Sequence, residues 1–294
     1  MSNSALLYTD ILKSNYWDKN PIRRTVFTLA TGQKNNLHPF ENCFDGSSGT
    51  TWRLNSNGSQ QKYTFTVTGP INGIAIYGHN LNSSQGLRII DTSASSNYFQ
   101  TSPNYKTDGS ICPKDSTGRA FCAFDWSSGN ITDGTTTTRA ISIETINWSV
   151  DTFVEVVQLG TFLQSGVDLL APFNLPLFQT EKRVYKTNEN GSQLPSTYIK
   201  TPQKQTLRLK NMDYQEHTDT SQSNQDFVKQ IANNIKSKPF FVLWKVPRSG
   251  EGAVSRIEDQ NNIIYANVNG TLPNPVLDAN NLINFKIPII GFTE

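Results

Sequence analysis

Apolar and polar residues alternate along most of this chain, and a period of two is the mark of a half-buried strand. "TVFTLAT" from Thr25 alternates and is β-branched, and "QKYTFTVTG" alternates through Tyr63, Phe65 and Val67. "GIAIYGH" from Gly73 is apolar throughout and is predicted as a fully buried strand. "GLRIID", "TRAISIETINWS" and "TFVEVVQLGTFLQSG" supply further strands. Between about 93 and 134 the chain is Ser, Thr, Gly, Asn and Pro, broken by Tyr98, Phe99, Tyr105, Phe121, Phe124 and Trp126. That composition predicts a long, elaborated loop or hairpin region, the kind of segment that carries function in compact domains.

Past Gly160 the texture changes. "VDLLAPFNLPLFQT" holds two prolines and alternates poorly, so it reads as a strap between domains. Asn190-Gly191 is a hairpin signal within a run of strands. "SNQDFVKQIANNIKSKP" has a capping Ser223 or Asn224, an apolar stripe of Phe227, Ile231 and Ile235, and a closing Pro239, and predicts a helix over about 225–236. "FFVLWKVP", "NNIIYANVNG" and "NLINFKIPIIGFTE" are further strands. The expectation is a mainly β protein: an N-terminal β-sandwich jelly roll over 1–165 with an arm at 1–20, a linker strap at 166–178, and a smaller β-rich (α+β) domain with one helix over 179–294.

Composition narrows the function. The chain has 294 residues, of which 17% are charged, with a formal net charge of +2 and no basic or acidic block. No electrostatic footprint for nucleic acid or an anionic membrane is visible, so neither nucleic-acid binding nor membrane insertion is expected. A surface of Ser, Thr, Asn and Gln suits extracellular or virion proteins more than a Lys/Glu-rich cytosolic enzyme. The first residues lack the basic-then-apolar pattern of a secretion signal, which points to assembly in a cytoplasm. With 3 cysteines there is no disulfide framework. Cys112 and Cys122 could face each other across a hairpin, and the sequence leaves open whether they are bonded.

Certain positions fall in a recognisable order. Asp45, Gly46, Thr51 and Trp52 form an early turn, Ile74, Ile76, Gly78 and Asn80 a middle strand, and Val154, Glu155, Val156, Leu159 and Gly160 a closing strand. This order resembles the galactose-binding-like jelly roll of the discoidin or coagulation-factor C-type family, over about 20–165. Tyr185, Thr187, Gly191, Leu207, Leu209 and the run Lys238-Pro239-Phe240-Phe241 follow it. The whole arrangement resembles a class of bacteriophage tail and baseplate structural proteins, in which a jelly roll runs directly into a small β-domain.

The resemblance implies two candidate sites. Jelly rolls of this family often hold a structural calcium near such a turn, which makes Asp45 a weak calcium candidate; the alternative is an Asx turn without metal. Related lectin modules read sugars at the rim where His79 and Asn80 end a strand. A sugar site there would draw polar groups from His79, Asn80 and Arg88 and a stacking face from Trp126, Tyr98 or Tyr105. Beyond a possible calcium no cofactor is expected.

Catalysis has no sequence support: His38, His79 and His217 are far apart and no nucleophile or phosphate-loop motif occurs. "KPFFVLWKVP", flanked by prolines, reads either as a core strand or as an edge kept for a defined partner. The reading that follows is a structural subunit of a phage virion, in the tail, baseplate or neck, assembled in the host cytoplasm. Its partners would be tube, sheath, hub or neck proteins and copies of itself. Apolar segments outside the expected cores are the candidate contacts: Leu6, Leu7, Trp17, Leu170, Phe173, Phe178, Ile289 and Phe292. The alternative is a carbohydrate-binding module of a receptor-binding protein whose partner is a host surface glycan. A glycan-cleaving enzyme is the third reading and would need two carboxylates across a cleft.

Overall fold

Alternation of the kind seen in Lys62–Thr68 needs neighbours on both edges and a core on one face, and antiparallel sheets provide both. The computed structural model describes residues 3–8, 28–31, 35–55, 61–68, 73–91, 96–97, 110–113, 120–125, 138–164, 180–184, 189–190, 197–213, 235, 239–246, 255–259, 263–278, 280 and 282–292. Most of the described residues lie in strands, and the fold is mainly β. Strands are numbered in chain order.

A six-stranded sheet runs β2 (Thr28–Thr31), β4 (Lys62–Thr68), β10 (Thr138–Ile146), β6 (Gly86–Asp91) and β7 (Ser96–Asn97), with β8 (Ser110–Ile111) also on β6. An eleven-stranded sheet runs β14 (Gln203–Asp213), β19 (Leu282–Phe292), β17 (Ile263–Val268), β15 (Phe240–Val246), β1 (Asn3–Tyr8), β11 (Phe153–Gln164), β5 (Gly73–His79), β9 (Ala120–Asp125) and β16 (Ser255–Asp259). To it are added β3 (Trp52–Arg53) on β11 and β18 (Val276–Leu277) on β19. A separate hairpin pairs β12 (Thr180–Val184) with β13 (Thr197–Thr201), and Glu189 and Asn190 form a turn in the connection between them.

The first core lies between the two sheets. Ile74 and Ile76 of β5, Phe121 and Ala123 of β9, and Val157 and Leu159 of β11 meet Leu87, Ile89, Ile141, Ile143 and Tyr63 from the six-stranded sheet. Alternate residues of the same strands, Ala75, Tyr77, Ala120, Cys122 and Val156, face the other way. They pack with Phe241 and Leu243 of β15 and Ile263 and Tyr265 of β17 in a core of their own. This explains why "GIAIYGH" does not alternate: β5 is buried along its whole length because both of its faces are covered. A further core gathers Leu207, Leu209, Phe240, Val242, Ile264, Phe285, Ile287 and Ile289 on one face of β14, β19, β17 and β15.

Several expectations are corrected. Strands from before and after the strap share one sheet, because β1 pairs with both β11 and β15, and β16 pairs with β9. Of the arm expected at 1–20, residues 3–8 are an interior strand of the large sheet, between β15 and β11. Gln158 of β11 adds a cross-link by donating from Nε2 to the Pro239 carbonyl at 3.0 Å. The strap at 166–178 itself lies outside the described residues. So does the segment predicted as a helix over 225–236, except for Ile235, which is helical and packs into the core under β14 and β19. β15 is a central strand between β17 and β1, not an edge kept for a partner.

Candidate functional site

The loop before β3 shows how local chemistry aims one large side chain. Asn35 Oδ1 accepts from the Leu37 and His38 amides at 3.0 and 3.1 Å, and its Nδ2 donates to the Leu54 carbonyl at 3.1 Å. A 3-10 turn over Phe40–Phe44 follows, and Asn42 ties it to Thr51 at 2.9 Å. Asp45 then builds an Asx turn: Oδ1 accepts from the Ser47 amide and Oδ2 from the Thr50 hydroxyl, both at 2.7 Å. Gly46 takes φ 74°, which a side chain would resist. Its carbonyl accepts the Tyr265 hydroxyl at 2.9 Å, fastening the loop to β17.

The result is a buried Trp52. It meets Phe40 edge-on at 4.8 Å and Trp148 at 4.5 Å, while Phe40 stacks on Tyr63 at 4.0 Å. Both Asp45 oxygens are engaged in holding the turn. Among the described residues, no group of three or more His, Cys, Asp or Glu side chains gathers anywhere.

The rim residues expected to read sugar are drawn into separate tasks. His79 is buried, accepts the Leu81 amide at Nδ1 (3.1 Å) and meets the Phe121 ring edge-on at 5.0 Å, so it belongs to the first core. Asn80 is exposed, yet its side chain clamps the start of β11: Oδ1 accepts the Phe153 amide and Nδ2 donates to the Asp151 carbonyl, both at 2.8 Å. Arg88 points to the outer face of the six-stranded sheet, where Nε donates to Glu144 at 2.7 Å and Nη2 also reaches that carboxylate. Lys62 lies 4.0 Å from the other Glu144 oxygen, completing a charge ladder across β4, β10 and β6. Trp126 lies outside the described residues. The structure therefore does not bring His79, Asn80 and Arg88 together.

The expected contact segments divide similarly. Leu6 and Leu7 sit on β1 opposite Leu163 and Phe162 on one side and Val242 and Phe241 on the other, so their strand has no free edge. Ile289 is fully buried in the chain's own core, which removes it as an assembly contact. Phe292 lies at the end of β19, opposite Tyr265. Trp17, Leu170, Phe173 and Phe178 are outside the described residues. Cys43, Cys112 and Cys122 are buried thiols not joined in a disulfide. Burial, with nearby Asp45 and Glu41, pushes the Cys43 thiol up.

A different surface is left open. Among the described residues β14 pairs on one side only, with β19. Its inward positions Leu207 and Leu209 are buried, while Lys204, Arg208 and Lys210 are exposed. Arg208 stands directly opposite Lys286 of β19, which is also exposed. Val276 and Leu277, exposed apolar residues of β18, lie on the other side of β19. The cations were not singled out from the sequence, although "KQTLRLK" places them with a period of two. Neither a scan against protein-family models nor a search of curated proteins finds a match to this chain.

Proposed function

We propose that this chain is a structural subunit of a bacteriophage particle, in the tail, baseplate or neck, and that it works by protein–protein contact rather than chemistry. One observation carries most weight. The polar groups that could have formed a ligand-reading rim hold the chain's own loops and strands, while among the described residues the long strand β14 is paired on one side only. A body whose strands are tied through shared cores presents such an edge rigidly, as an assembly part requires. The order of motifs along the chain supports the same class. The carbohydrate-binding reading loses support because His79, Asn80 and Arg88 are occupied apart from one another.

The test is particle membership. An antibody raised against the purified chain should detect it in density-gradient-purified particles, at a constant ratio to the other particle proteins. Detection only in the soluble fraction of the producing cells would refute the proposal. Binding of the full chain on a glycan array would return the carbohydrate reading to first place.

A further inference from the structure

We infer that β14 is a docking edge that accepts an extended, acidic strand from a partner protein. The inference deepens the assembly reading and rests on it for its purpose, though not for its chemistry. β14 is an eleven-residue strand at the end of the large sheet, and its register with β19 is regular from Gln203↔Gly291 to Leu209↔Phe285. An edge strand of this kind carries a row of backbone donors and acceptors that another chain can pair with.

What would pair there is set by the side chains. Lys204, Arg208 and Lys210 project from the solvent face, with Lys286 one strand behind Arg208. Among the described residues none of these cations has an acidic partner. A second copy of β14 is disfavoured. Antiparallel self-pairs centred on Thr206, Leu207, Arg208 or Leu209 set Lys204 against Arg208, Lys204 against Lys210, Arg208 against itself or Arg208 against Lys210, and like charges directly opposite repel. Cations on an edge guard against self-pairing, and here they also select the partner. A strand with Asp or Glu at alternate positions would meet Lys204, Arg208 and Lys210 across the edge. Its intervening apolar residues would extend the core layer of Leu207 and Leu209. Nucleic acid would satisfy the cations but not the backbone edge.

The experiment uses the full chain and a fluorescent peptide of about ten residues alternating Glu with Val and Thr, a length suited to strand addition. Saturable binding by anisotropy is expected. It should weaken at least tenfold in the double variant Arg208→Glu, Lys210→Glu, and also when alternate peptide amides are N-methylated. It should fade as salt rises to about 1 M, where screening is nearly complete. Should the double variant fail to fold, the N-methylated peptide against the unaltered chain still decides the matter.

No saturable binding overturns the inference, and so does an N-methylated peptide that binds as well as the parent. A single-stranded oligonucleotide of equal charge binding as tightly would mark phosphate chemistry and overturn it too. A dimer in sedimentation that the double variant dissolves would mark a second copy instead. If the edge fails while the chain is present in particles, the assembly reading stands on another contact. If the edge binds but the chain is absent from particles, only the particle reading falls.

Discussion

Gly78 is the residue on which the closing of the first core turns. It lies opposite Glu155, takes φ 65°, and a Cβ there would fall on the Glu155 carboxylate. Around this pair both strands change face: Ile76 and His79 reach the first core while Tyr77 between them faces the shared one, and Val154 and Val157 flank Val156 in the same way. Gly78→Ala is expected to cost roughly 1–3 kcal/mol for the strained backbone alone, measured by urea denaturation. A loss no greater than that of a surface substitution would show that the strands can re-register. Tyr265 supplies a pH test. Burial, then nearby Asp45 and Tyr77, push its phenol up, and burial chiefly raises Tyr63 as well. A phenol raised by folding contributes stability that is complete below its unfolded value and lost as pH climbs above it. Stability should therefore fall from about pH 10 upward. Tyr265→Phe should lose about 1 kcal/mol at neutral pH with the hydrogen bond to Gly46, and its alkaline decline should be shallower than that of the unaltered chain.

At the scale of elements, β5 and β9 explain how strands from before and after the strap come to share a core. A sandwich strand exposes one face and so alternates, but Ala75, Tyr77, Ala120 and Cys122 are buried on the outward side by β15 and β17. Residues 1–165 expressed alone would expose that layer, where each large side chain such as Tyr77 or Val156 contributes about 1.5–3 kcal/mol when buried. The fragment is expected to bind a hydrophobic dye and to melt well below the whole chain. A fragment as stable as the parent would mean that the shared core is dispensable. The sequence did carry this information in the unbroken apolar run of β5; what covers its second face could not be read from it, since the covering residues lie more than a hundred positions away.

For the whole molecule, a large sheet that takes β1 from the beginning of the chain and β19 from its end predicts a single unfolding event. Tryptophan fluorescence and far-ultraviolet circular dichroism should trace coincident transitions. Two separated transitions would favour the two-domain picture. The same topology places β14 at the rim, so reversing charges at Arg208 and Lys210 should change association while leaving the melting temperature within a degree or so, as exposed substitutions do.

Sequence alone was enough for the class of fold, because side-chain period is a local property. Alternation in β4, β10 and β19, the apolar run of β5, the Asp45-Gly46 turn and the hairpin of β12 and β13 were all legible in that way. Partnership is not local. Whether His79 faces solvent or Phe121, whether Arg88 is available or paired with Glu144, and whether Ile289 is a contact or a core residue all depend on what the sheet brings beside them. Tertiary structure decided each of these, and it alone set β15 in the interior and left β14 at the edge, because strand order follows from how the two faces of every strand are covered, and the covering residues come from distant parts of the chain.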